Sequence, residues 1–214
     1  MKLIKTLGTL ALALGTAAAT GAVQAKDLKI GVVVPISGPF AAHGKQIKHG
    51  IDLFLAAHGD TVAGRHVQIL YKDDTGIAPA VAKRQAQELL IKDKVDILAG
   101  FTLTPNAFSV APLATEAKVP MVVLNAATAT ITEKSPYITR VSMTTPQDTA
   151  PMAQWAYANG IRKVYTLVSD YGPGHDAADQ FKKTFTSLGG QVVGEIRTPV
   201  STPDYAPFLQ RVKD

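Results

Sequence analysis

Residues 30–39 read IGVVVPISGP, an apolar run followed by a turn cluster, and this stretch decides the fold. A short continuous apolar run is typical of a strand that is buried on both faces of a parallel sheet. The turn cluster at residues 37–39 then ends the strand. Beyond it, apolar residues recur at helical spacing as far as Gly59, which can end a helix, and these are Ile47, Ile51, Phe54 and Leu55.

The same strand–turn–helix unit recurs along the chain. Further strands are predicted at residues 67–74, 96–100, 120–124, 138–143, 164–168 and 191–197. Between them lie helical patterns, and in the one that starts at Thr145 we expect Met152 and Ala156 to face inward. Regular alternation of this kind predicts an α/β fold of mostly parallel sheets flanked by helices, with right-handed crossovers.

Both ends of the chain carry information about its organisation. Residues 1–25 contain Lys2 and Lys5, then a short apolar stretch and small residues up to Ala25, which is the pattern of a secretory signal peptide. The alternation resets at residues 144–148, so we expect a first α/β lobe at residues 26–144 and a partial second lobe at residues 145–214. The last residues stop inside a helical pattern without a cap, which favours a truncated chain.

Composition excludes several classes of function. The chain has no cysteine, so disulfides, thiolate metal sites and cysteine nucleophiles are excluded. Its 22 Lys and Arg exceed its 17 Asp and Glu only slightly and aromatic residues make up 7%, which argues against nucleic-acid binding. The five histidines lack metal-ligand spacing, and no catalytic motif is present. We therefore predict a protein that is not an enzyme and has no metal and no cofactor.

One motif keeps an enzymatic alternative open. Residues 172–177, GPGHDA, match the dinucleotide pattern G-x-G-x-x-A, and Glu195 lies about 20 residues further on. The same residues also suit an ordinary glycine-rich turn between a strand and a helix. A nicotinamide-dependent enzyme is therefore the alternative, against which the export signal argues.

Two loops that follow predicted strands carry hydroxyl groups. They are residues 101–106 (FTLTPN) and residues 125–128 (NAAT). Ligands of open α/β sheets bind at the carboxyl ends of strands, where helix N-termini favour anions. Thr104 and Thr128 are thus candidates to bind a carboxylate, although both could instead be ordinary helix N-caps.

At these residues the chain resembles the leucine/isoleucine/valine-binding family of periplasmic solute-binding proteins, which serve ABC transporters. The resemblance runs in order through the stretches 30–39, 73–74, 111–114, 119–120, 126–128 and 170–172. It implies two α/β lobes joined by a hinge near residues 144–148, which close on a small ligand. The family is roughly twice as long as this chain, so the resemblance also implies an incomplete second lobe.

The resemblance assigns roles residue by residue. Thr104 stands where the family usually has a serine that meets the ligand carboxylate, and Asn106 follows in the same loop. Tyr171 matches an aromatic residue that closes over the ligand from the second lobe. The remaining ligand-binding candidates are Ala126 and Thr128, in the second hydroxyl-bearing loop, and His43, in the loop after the first strand.

Two departures from the family pattern affect ligand identity. His43 stands where many members have tyrosine, and Pro105 removes one N–H from the anion-binding loop. The acidic residue that usually pairs with an amino-acid ammonium would lie beyond Asp214.

The expected function is that of the periplasmic solute-binding component of an ABC importer for a branched-chain or other amino acid. A carrier of aromatic or aliphatic carboxylic acids and a ligand-sensing module are the alternatives. The expected partners are the small carboxylate ligand and an inner-membrane permease, with the protein a monomer that binds no nucleic acid.

Overall fold

The computed structural model of the protein describes residues 26–201 and 204–212, so the predicted signal peptide lies outside the described residues. The strands are β1 (Leu28–Val34), β2 (Thr61–Val62), β3 (Arg65–Asp73), β4 (Ile97–Gly100), β5 (Met121–Val123), β6 (Ile138–Arg140), β7 (Lys163–Ser169) and β8 (Gln191–Thr198). The α-helices are α1 (Ala41–His58), α2 (Pro79–Glu88), α3 (Thr104–Ala117), α4 (Thr145–Ala158), α5 (Gly172–Ser187) and α6 (Ala206–Leu209). A π-helical turn, Leu89–Asp93, extends α2, and a 3-10 helix, Ala129–Lys134, connects β5 to β6.

Six strands form the first sheet, in the order β2-β3-β1-β4-β5-β6. All neighbours are parallel except β2, a two-residue strand that pairs antiparallel with β3 and was not predicted from the sequence. The predicted α/β fold with a mostly parallel sheet is therefore confirmed. We call β1–β6 with α1–α3 the first-sheet unit.

Alternate residues of β1 face opposite layers of helices. Val33 packs into a core with α2 and α3, which contribute side chains such as Ala86 and Val110. Its neighbours Val32 and Val34 pack on the other face, against α1. Both faces of β1 are buried, which is why its sequence is a continuous apolar run.

The second sheet has the parallel strands β7 and β8, against which α4 and α5 pack. We call these four elements the second-sheet unit. Its core is a cluster around Ala153, Ala156 and Phe185. Helix α4 begins with a capping box, in which the Thr144 hydroxyl accepts from the Gln147 N–H and the Gln147 side chain accepts from the Thr144 N–H.

One prediction of a buried side chain was wrong: Met152 is 64% exposed, although Ala156 is buried as expected. Phe54, on the apolar face of α1, is 60% exposed. Both side chains line open apolar grooves along the sheets. Helical periodicity identifies residues that share one face of a helix, but it does not tell whether another element covers that face.

No helix in residues 26–201 and 204–212 combines the length and the apolar character that crossing a bilayer would require.

Candidate functional site

The site begins where β4 ends, at a backbone turn in the left-handed region. Gly100 has φ +108°, and a Cβ atom built there would lie 2.2 Å from the carbonyl oxygen of Val33, so only glycine fits. The next residue, Phe101, also has a positive φ of 59° although it carries a fully buried side chain. Such a conformation is disfavoured for a residue with a Cβ, and residues held in it are enriched at functional sites.

This turn leads to the first residue of α3, Thr104, whose side chain lies beside that of Thr128. The two hydroxyl oxygens are 3.0 Å apart and hydrogen-bonded, and the residues are only 2% and 4% exposed. Leu103 is the N-cap of α3, and the Thr128 side chain makes no capping hydrogen bond. Thr128 does stand at the N-cap position of the 3-10 helix, but neither hydroxyl makes a capping hydrogen bond. We call these two groups the hydroxyl pair.

Hydrogen bonds to several neighbouring residues fix the backbone of the loop around Thr128. The Ala126 N–H donates to the carbonyl of Phe101, and the Ala127 carbonyl accepts from the N–H of Thr145. Within the described part of the chain, the N–H groups of Ala127 and Thr128 make no hydrogen bond. Two backbone donors thus remain beside the hydroxyl pair, whereas the predicted backbone donor, Ala126, is already used.

A positive charge also lies at this loop. Arg140, at the end of β6, donates a 2.6 Å hydrogen bond from Nη1 to the carbonyl of Thr128. A guanidinium remains charged at any physiological pH, so it favours an anion nearby. Sequence reasoning missed Arg140 because nothing local predicts that the end of β6 reaches the loop after β5.

The second-sheet unit contacts the hydroxyl pair through the start of α5. A Cβ atom built on Gly172 would lie 2.4 Å from the Thr128 hydroxyl oxygen and 3.3 Å from Cγ2 of Thr104. Tyr171, the residue before it, is half-buried, and this burial raises the pKa of its phenol. The predicted residues Thr104, Thr128 and Tyr171 therefore lie in segments that meet at one junction.

Asn106 lies next to this junction, but its amide is used within the fold. It is fully buried, and its nitrogen donates to Asp74 Oδ2 at 2.8 Å and to the carbonyl of Gly76 at 2.7 Å. Its oxygen accepts from the N–H of Ala78. Burial raises the pKa of Asp74, and this outweighs the opposing effect of the bond from Asn106. Asn106 thus ties the loop after β3 to the start of α3.

Among the described residues, no hydrogen bond or ring contact joins His43 to the hydroxyl pair. It lies in the first turn of α1 rather than in the loop after β1, so that placement was wrong. The helix begins earlier than the apolar spacing indicates, because the first apolar residue on its buried face is Ile47. The side chain of His43 is exposed, and its ring lies 6.2 Å from that of Phe40.

Thr102 carries a further hydroxyl, and it was not among the predicted ligand-binding residues. This residue is 2% exposed, and its Oγ1 has no hydrogen-bond partner among the described residues. It lies in the same loop as Thr104. In the sequence, this group is indicated by a second threonine, two residues before Thr104.

The glycine motif has a structural explanation. A Cβ atom built on Gly174 would lie 1.9 Å from the carbonyl oxygen of Ser169, so α5 packs against the end of β7 more closely than any side chain allows. Glu195, the expected ribose-binding acid, accepts a 2.7 Å hydrogen bond from Arg197. Both glycines of the motif are therefore explained by packing without a dinucleotide.

Acidic and histidine side chains do not cluster as metal ligands do. In the ranges 26–201 and 204–212, no group of three or more such residues could hold a metal ion.

Residues 27–214 match the family model described as periplasmic binding protein. Among curated relatives, the Leu/Ile/Val-binding protein homolog 6 of Brucella abortus (strain 2308) is 47% identical over 211 residues, which are 99% of this chain and 54% of that protein. The chain thus spans about half the length of the curated relatives it matches.

Two solved structures are similar in fold and in sequence. The solute binding protein of an ABC transporter from Rhodopseudomonas palustris HaA2, in complex with p-hydroxybenzoic acid, is 54% identical with a TM-score of 0.84. The one from R. palustris BisB5, in complex with 3,4-dihydroxybenzoic acid, is 51% identical with a TM-score of 0.83. The matches cover 87% of this chain in both cases, and 50% and 51% of the respective neighbours.

Proposed function

This chain belongs to the periplasmic binding protein family, and from that premise we propose that it is the solute-binding component of an ABC importer for an aromatic carboxylate. The ligand class is that of the hydroxybenzoates. The protein is exported through the signal peptide at residues 1–25, works in the periplasm as a monomer and delivers its ligand to an inner-membrane permease. No covalent bond is made or broken.

The observation that carries this proposal is the hydroxyl pair beside two unbonded backbone N–H groups. One hydroxyl donates to the other within the pair, so the accepting hydroxyl keeps its own proton for a ligand. Together with the N–H groups of Ala127 and Thr128, it supplies the donors that a carboxylate needs. The Arg140 guanidinium on the Thr128 carbonyl adds a positive charge at the same loop. In this proposal the ligand carboxylate docks here on the first-sheet unit, and Tyr171 approaches from the second-sheet unit.

The aromatic class is supported by the two solved neighbours described above, whose complexes contain hydroxylated benzoic acids. A benzoate has a carboxylate at one end of a flat apolar ring, so it needs no acidic partner for an ammonium group. Part of its pocket belongs to the half of the fold that this chain does not span.

A branched-chain amino acid is the second candidate. The observation that favours it is the 47% identity to a protein named as a Leu/Ile/Val-binding protein homolog. Both ligand classes share the carboxylate, so the hydroxyl pair serves either of them. The two differ at the other end of the ligand, where an amino acid also needs a partner for its ammonium.

The carboxylate site is tested by removing both hydroxyls while keeping the shape of the side chains. In the full-length protein, we expect Thr104→Val together with Thr128→Val to weaken binding of 4-hydroxybenzoate at least tenfold in isothermal titration calorimetry. Each hydrogen bond to a charged group contributes about 1.5–3 kcal/mol. Thr115→Val, at the far end of α3, is the matched control and should bind as the wild type does. Unchanged affinity in the double variant would show that the carboxylate binds elsewhere.

The ligand class is tested with a panel of 4-hydroxybenzoate, 3,4-dihydroxybenzoate, benzoate, leucine and NAD in a thermal-shift assay. A ligand at 100 times its dissociation constant stabilises the folded state by about 2.7 kcal/mol. Shifts with the benzoates alone support the proposal, and a shift with leucine alone replaces it by the amino-acid candidate. A shift with NAD alone would overturn the carrier function.

A further inference from the structure

A further contact between the two units lies one helical turn along α5 from Gly172. The carboxylate of Asp176 accepts a hydrogen bond from the backbone N–H of Ala129, with 2.7 Å between Oδ2 and the nitrogen. Residues four apart on a helix lie on the same face. One face of α5 therefore contacts the first-sheet unit at two points, the hydroxyl pair and Ala129.

The N–H of Ala129 lies at the end of the loop that bears Thr128. Ala129 is the first residue of the 3-10 helix, where N–H groups lack partners within the helix. The backbone of this loop makes its other hydrogen bonds with Phe101 and Arg140 of the first-sheet unit and with Thr145 at the start of α4. Asp176 thus makes the hydrogen bond that joins α5 to this loop, and its charge strengthens the bond.

We propose that Asp176 is an interlobe latch, a positioning residue that holds the second-sheet unit closed over the ligand without touching it. The inference rests on the proposed function, in which the units separate to admit a ligand. A contact that exists only in the closed state shifts the equilibrium toward closure. Ligand affinity then depends on the closed fraction of the free protein.

The first test measures closure without any ligand. The chain has no cysteine, so Lys45→Cys and Lys183→Cys, at exposed positions on α1 and α5, allow specific labelling of the full-length protein with a fluorescent pair. We expect Asp176→Ala to move the unliganded protein toward longer interlobe distances. Asp179→Ala, which removes an exposed carboxylate from the same helix, is the control and should leave the distances unchanged.

The second test measures release of 4-hydroxybenzoate by stopped flow. Asp176→Ala should raise the dissociation rate constant about tenfold with little change in the association rate constant, because the latch forms after the ligand has entered. Asp176→Asn, which keeps an oxygen acceptor but loses the charge, should lie between Asp176→Ala and the wild type. A similar melting temperature of the unliganded variants will show that they are folded.

A third variant removes the donor instead of the acceptor. Ala129→Pro eliminates the N–H at a position that suits proline, because it opens a helix and Thr128 before it is extended with φ −61° and ψ 130°. If the latch is the cause, adding Asp176→Ala to Ala129→Pro will have no further effect on either measurement. Additive effects would overturn the pairing.

The outcomes separate the latch from the proposed function. If the wild type binds no ligand of the panel, the proposed function fails, and the distance measurement still decides the latch. If Asp176→Ala changes neither the distances nor the release rate, the latch is wrong even when 4-hydroxybenzoate binds tightly.

Discussion

Gly172 is a point of close approach between the two units. No positive φ is required there, so its smallness serves the contact with Thr128 rather than a turn. We predict that Gly172→Ala weakens 4-hydroxybenzoate binding at least tenfold, because its Cβ would lie 2.4 Å from the Thr128 hydroxyl oxygen and would keep the units apart. Isothermal titration calorimetry on the full-length protein measures this effect.

The matched control for that variant is Gly50→Ala, in the middle of α1, where an added Cβ has nothing within 4 Å. Alanine has the higher helix propensity, so this variant should gain up to about 1 kcal/mol in stability and bind as the wild type does. Wild-type affinity in Gly172→Ala would mean that the units do not approach as closely when ligand is bound.

At the scale of elements, Asp73 at the end of β3 fixes the loop between β1 and α1. Its Oδ1 accepts from the N–H groups of Ile36 and Thr75, both at 2.8 Å, and its Oδ2 accepts from the Ser37 hydroxyl at 2.6 Å. Burial alone would raise the pKa of Asp73, but these hydrogen bonds outweigh burial and lower it.

The lowered pKa has a consequence for acid stability. The unfolded state binds a proton near pH 3.9, above the folded pKa, so this contribution to stability is present above that pH. It is lost as the pH falls through the folded pKa. We predict that Asp73→Asn lowers the free energy of unfolding at pH 7 by about 0.5–1.5 kcal/mol and flattens its fall in acid. Urea denaturation at several pH values measures this, with Asp179→Asn as the control. If the free energy of unfolding of Asp73→Asn falls with decreasing pH as steeply as that of the wild type, the prediction is contradicted.

Much of the architecture could be predicted because its signals are local. The apolar run of β1 follows from burial on both faces, and the hydroxyl pair follows from two threonines just after neighbouring parallel strands. Arg140 and Asp176 could not be found in this way, since each acts on a loop that only tertiary packing brings near. Met152 was misjudged because periodicity does not say which helix face is covered.

At the scale of the whole molecule, the two units have separate cores. In the first-sheet unit, buried side chains such as Val33 and Leu98 join strands and helices on one face of six strands. In the second-sheet unit, Phe185 is the large buried side chain of a cluster that otherwise holds Ala153 and Ala156. Because few described contacts cross between the units, we propose that residues 26–144 and 145–214 are distinct folding units.

This division predicts a selective response to one core substitution. Phe185→Ala removes a fully buried aromatic ring, which costs about 3–5 kcal/mol. In a chain of residues 26–214, hydrogen exchange should then lose its protection in β7 and β8 while β1 and β4 stay protected, since separate cores open separately. Equal loss of protection in β1 and β4 would show instead that the two units fold as one, and closure about a hinge near residues 144–148 would then have to work against a shared core.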